Sequence, residues 1–125
     1  MTRSRDTSLL MTGAQEFSGV KNFNATTLTD AASIAWDLSA NQVTSVTITD
    51  NRTFADPSNK VDGAVYMVTV IQDGTGGHTA SWNSVFKFAN GVAPVISTAA
   101  SARDTFVFMS DGTNMNEVGR SQNVS

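Results

Sequence analysis

Apolar residues recur with a period of two along most of this chain. In Gly63–Gln72 the pattern places Val65, Met67 and Ile71 on one side of an extended strand and Tyr66, Val68 and Val70 on the other. Both sides are apolar, which predicts a strand covered twice, by a facing sheet and by a loop or neighbouring subunit. The turn Asp73-Gly-Thr-Gly-Gly77 follows, and then a second extended run to Trp82, so the pair reads as a hairpin. A further alternating run, Thr105–Ser110, leads through Asp111-Gly-Thr-Asn114 to Met115–Val118 and predicts another hairpin.

The same signal begins near Thr26. Ala32–Leu38 aligns Ile34, Trp36 and Leu38 on one face, and Val43–Asp50 turns Val46 and Ile48 inward with threonines outward, so these two runs are expected to pair through the polar Ser39–Gln42 turn. Asp56-Pro-Ser-Asn59 has a turn proline at its second position. Phe86 and Phe88 share a face, Asn90-Gly91 turns, and Pro94–Ser97 reads as a short strand near an edge. Ala99–Ala102 reads as a helical turn or loop. The pattern as a whole predicts an all-β fold, an antiparallel, jelly-roll-like β-sandwich of about eight short strands. Residues 1–25 keep no sustained period; scattered Leu9, Leu10, Phe17, Val20 and Phe23 predict an N-terminal arm that docks on something or folds back as a strand, with the sandwich occupying 26–125.

Composition narrows what such a sandwich can do. The 125 residues suffice for one domain with a core, and only 15% are charged, leaving a neutral surface rich in hydroxyls and suited to tight association with other protein. A net charge of −3 gives no basic footprint for nucleic acid, and Arg3 and Arg5 form the only local basic excess. Without cysteine there is neither a disulfide nor a thiolate metal site. No run approaches the roughly 20 apolar residues that span a bilayer, and Leu9–Met11 is too short for a signal-peptide core. The expectation is a whole gene product made and kept in a cytoplasm, with no membrane partner.

In order along the chain, Ala35-Trp-Asp-Leu38, Val46-Thr-Ile-Thr49, Asn51-Arg-Thr53, Gly63-Ala-Val-Tyr66, Val70-Ile-Gln-Asp73, Thr75-Gly-Gly77, Val85-Phe-Lys-Phe88, Gly91-Val-Ala-Pro94, Phe106-Val-Phe108 and Asp111-Gly-Thr-Asn114 form a recognisable series. Over about residues 32–118 this series resembles a module of tailed-bacteriophage virion proteins. The chain departs from that pattern at Trp82-Asn83, where Trp-Pro is usual, and at Met115, where an aromatic residue is usual. The resemblance implies a capsid-decoration, head-fibre or tail-fibre component, commonly a trimer, with no catalytic residues.

Candidate chemistry is sparse. His78 is the one histidine and reads as an exposed strand-end residue, so neither a histidine dyad nor a multi-histidine metal site is available. Asp73–Gly77 could cradle an anion, but it stands between strands rather than opening a helix. Asp50, Asp56, Asp62, Asp73 and Asp111 occupy turns, where carboxylates accept backbone N–H bonds; their placement explains them without a metal. Trp36, Tyr66 and Trp82 could stack on sugar, yet Trp36 is in phase with the core, which leaves Trp82 as the candidate exposed aromatic. The expected function is a non-enzymatic virion protein without cofactor, a decoration or cement protein that binds the outer capsid as a homotrimer. Its contacts with the major capsid protein, another virion protein or a neighbouring subunit would come from Arg3, Arg5, Leu9, Leu10, Phe17 and Phe23. The alternative is a head-fibre or tail-fibre knob that recognises a host-surface glycan.

Overall fold

The computed structural model describes Gly19 and residues 22–124. Nine strands form two sheets: β1 (Ala25–Thr27), β2 (Ser33–Ile34), β3 (Val43–Ile48), β4 (Arg52–Phe54), β5 (Val65–Gln72), β6 (Ala80–Trp82), β7 (Phe86–Lys87), β8 (Arg103–Ser110) and β9 (Met115–Ser121). The larger sheet runs β1-β3-β5-β8-β9-β7 and the smaller β2-β4-β6. The all-β sandwich anticipated from the patterning is present, and β5–β8 and β8–β9 pair antiparallel as expected. A shift between Val107 and Phe108 makes room for the extra Val118 in the second of these ladders.

The first six strands are connected differently from the hairpins read in the sequence. Each odd strand lies in the large sheet and the following even strand in the small one, so the chain crosses the core at every step. After each full turn it returns in parallel register, Ala25 beside Val43 and Val43 beside Met67 in one sheet, Ile34 beside Phe54 and Phe54 beside Trp82 in the other. Parallel neighbours need a long return path, and here the opposite sheet supplies it in place of a helix. The body of the sandwich is therefore a coil of three rungs, closed on one side by the β8–β9 hairpin.

Several expectations are corrected accordingly. Ala32–Leu38 and Val43–Asp50 are not a hairpin; they belong to opposite sheets. Neither are the strands around Asp73–Gly77, because that turn carries the chain from β5 to the small sheet. Asp73 Oδ1 accepts from Thr75 N at 3.0 Å and Gly76 N at 2.9 Å. Gly76, at φ 72°, passes so close to the 98–100 turn that a Cβ would lie 2.6 Å from the Thr98 carbonyl oxygen. Pro94–Ser97 joins no ladder; its Ser97 N–H donates to the Asp104 carboxylate at 2.6 Å instead. Residues 89–91 form a 3₁₀ turn, with Asn90 in a left-handed conformation.

One core fills the space between the sheets. Ile34 and Phe54 from the small sheet meet Val46, Ile48, Val68, Val70, Phe106 and Phe108 from the large one. Trp36 is 1% exposed, stacks on Phe86 at 6.4 Å and donates its indole N–H to the Asn41 carbonyl at 2.7 Å. Leu38 and Met115 are also buried, the latter in the position where the phage pattern favours an aromatic. The far side of β5 is not fully covered by the described residues: Met67, Thr69 and Ile71 are half-buried and Val65 is exposed.

Buried polar groups tie the connections to this core. Asp104, facing inward beside Val70, accepts from Ser97 N, from Asn123 N at 2.8 Å and from Gln122 Nε2 at 3.1 Å. Gln72 donates to the carbonyls of His78 and Ser97 and accepts from the His78 N–H, so it holds two separate loops at the end of β5. Such hydrogen-bonded groups fix loops without leaving the buried carboxylate or amide unsatisfied.

Candidate functional site

A concavity among the described residues lies where β6 hands over to β7. A pocket of ≈ 310 Å³ is walled by Trp82, Phe86 and Phe88, with Asn83, Ser84 and Lys87 at its polar side. Gly91, the last residue of the 3₁₀ turn, and Ala93 just after it complete it without adding a side chain of any length. That volume sits at the lower end of the range for small-ligand sites.

Local sequence explains this geometry. Asn83 ends β6, and its Oδ1 accepts the Val85 N–H at 3.0 Å while its carbonyl accepts the Phe86 N–H at 3.0 Å, making a tight turn into β7. Its own N–H donates to the Phe54 carbonyl at 2.9 Å, a bond that a proline in this place could not make. The side-chain amide is thereby pinned through its oxygen, and its Nδ2 donors have no partner among the described residues. Alternation in Phe86-Lys87-Phe88 buries Phe86, half-buries Phe88 and turns Lys87 outward.

Trp82 is half-buried rather than freely exposed. It stacks on Phe54 with ring centroids 4.4 Å apart and planes 9° from parallel, and Phe86, Phe88 and Phe106 approach it edge-on. Its indole N–H is buried with no hydrogen-bond partner. The ring is mainly an anchor for the pocket wall, and its exposed rim alone can face a ligand.

Other candidates serve the fold. His78 is half-buried, not exposed, and its Nε2 lies 3.0 Å from Asp73 Oδ1. The N–H groups of Gly76 and Thr75 hold the Asp73 carboxyl below its ordinary range against the opposing effect of burial, with His78 helping. Asp111 is likewise lowered by the N–H groups of Asn114 and Thr113 in the β8–β9 turn. Ser39 and Asn59 brace Asp37, and Arg52 pairs with Asp30 at 2.7 Å. Among the described residues no three His, Cys, Asp or Glu side chains converge in a way that could hold a metal ion.

Of the expected contact residues, Phe23 is 61% exposed, just before β1. Arg3, Arg5, Leu9, Leu10 and Phe17 lie outside the described residues. The pocket residues Asn83, Ser84, Lys87 and Phe88 are not evident as a site in the sequence. Their one signal is a lysine between two phenylalanines in a chain with few charges, which alternation alone explains as an outward position.

The β6–β7 pocket of this loop-bearing sandwich mixes aromatic edges with amide, hydroxyl and ammonium groups. Residues 19–115 match the family described as "Putative phage tail fibre C-terminal domain", and the chain belongs to that family. It is a phage virion structural protein. The sequence matches no curated protein.

Proposed function

We propose that this protein is the terminal knob of a phage tail fibre and recognises a glycan on the host surface through the β6–β7 pocket. The family match over residues 19–115 is the observation that carries this reading, and it favours a fibre over the capsid-decoration role. The pocket supports it chemically, because sugars offer hydroxyls to amide and hydroxyl groups and C–H faces to aromatic rims, and Asn83, Ser84, Trp82 and Phe88 supply both. In this reading the role is adhesive, and Asp73 and Asp111 brace turns while Asp104 on β8 holds the connections around it.

In the same proposal the knob acts as a homotrimer. The outer face of the large sheet aligns Val43, Met67 and Val107 across three strands, with Val65 beside Met109, and Arg103 is the charged residue on the β5–β8 part of it. Low charge favours burial against further copies, and three copies would make weak sugar contacts act together.

Binding of the purified protein to host cells tests the reading. Retention on cells, competed by isolated surface polysaccharide, is expected. Binding to undecorated capsids with none to cells would instead establish the decoration role.

A further inference from the structure

Lys87 gives the pocket a charge preference. Its side chain is exposed on β7, lines the cavity, and pairs with no carboxylate among the described residues. No acidic residue among the described residues lines the cavity either, although the chain as a whole carries net charge −3. A pocket that escapes the general excess of acid and holds one cation beside free amide and hydroxyl donors is complementary to an anion bearing hydroxyls.

Resting on the glycan-binding reading above, we infer that the ligand is an acidic sugar, a hexuronate or sialic-acid-type unit whose carboxylate pairs with Lys87. Asn83 Nδ2 is oriented by the Oδ1 bond to Val85 N–H and donates to a ring hydroxyl; the Ser84 hydroxyl serves a second one. The rims of Trp82 and Phe88 take the C–H face of the pyranose. The volume of ≈ 310 Å³ accommodates one such unit with its glycosidic neighbours projecting into solvent. A neutral sugar keeps the hydroxyl and C–H contacts and loses the charge-assisted bond, which is the stronger kind.

Ligand-observed NMR and calorimetry of the full chain, with glucuronic, galacturonic and N-acetylneuraminic acid oligosaccharides against their neutral counterparts, test this. At least one acidic oligosaccharide should bind about tenfold or more tightly than its neutral counterpart. K87Q should abolish that advantage without changing the melting temperature, K87R should keep most of it, and added salt should weaken wild-type binding more than that of K87Q. Equal binding of acidic and neutral sugars, unaffected by K87Q, overturns the acidic-ligand inference and leaves the glycan reading standing. Failure of every sugar and of isolated host polysaccharide to bind overturns both. An acidic preference that survives K87Q, but is lost on substituting Arg103 or Arg120, moves the site elsewhere and overturns the assignment to this pocket.

Discussion

At the residue scale, two buried side chains do unlike work. Trp36 fills the core and also satisfies its own N–H on the Asn41 carbonyl. Trp36→Ala removes the packing and the bond together and should cost about 3–5 kcal/mol, read as a lowered midpoint in thermal or urea unfolding. Asp104 contributes through charge. Burial pushes its carboxyl upward, but donation from Asn123 N, Ser97 N and the Gln122 amide outweighs burial and holds it below the ordinary carboxylate range. A depressed folded-state value means the unfolded chain takes up a proton first. The contribution of Asp104 is present in full above the unfolded value and is lost as pH falls through the lower folded one. Stability should therefore decline from about pH 4 downward. In Asp104→Asn the neutral-pH midpoint should be lower and the acid decline shallower, which a melting series from pH 7 to pH 2 will show. An unchanged neutral-pH midpoint in this variant would mean that the three donors find other partners at no cost.

At the element scale, the link between β5 and β6 decides the winding. Gly76 combines a left-handed backbone with contact against the 98–100 turn. Gly76→Ala should destabilise by more than about 3 kcal/mol, since strained backbone alone costs about 1–2. Gly74→Ala, where a Cβ meets nothing, should unfold like the parent in the same urea titration. The limits of sequence reading lie in this kind of link. Strand existence and facing were legible: Ile34, Trp36, Leu38, Val46, Ile48, Phe106 and Phe108 all point inward as their period of two requires. Strand partners were not, because alternation is the same in parallel and antiparallel ladders, and a glycine turn between two strands looks alike whether it closes a hairpin or crosses to a facing sheet. Pro94–Ser97 has strand-like residues but gives the Ser97 N–H to Asp104, a contact visible only once the chain is folded. The pocket was hidden for a related reason: Trp82, Asn83, Lys87 and Phe88 gather around a single tight turn, and what makes it concave is the 3₁₀ turn and Gly91 behind them.

At the scale of the whole molecule, the outer face of the large sheet is only half-covered by the described residues. Sedimentation at micromolar concentration should give a trimer, and Met67→Lys with Val107→Glu, both in the middle of that face, should shift it to monomer with little loss of folding. A monomeric parent would assign the face to another partner. The coil has a second whole-body property. β1 and β2, the first rung, are each the last strand of their sheet, whereas the large sheet continues beyond β5 into β8, β9 and β7. Among the described residues the two ends of the winding therefore differ, and the body has a polarity like that of a growing filament: no strand lies beyond β1 and β2 at one end, while the β8–β9 hairpin continues the large sheet at the other. Length variation among such chains should accordingly concentrate before β1 and in the crossings between sheets, where insertions leave every existing strand pair intact. A chain trimmed to residues 22–125 should still fold cooperatively, because every strand of both sheets lies within it, and thermal unfolding will show this as a single transition.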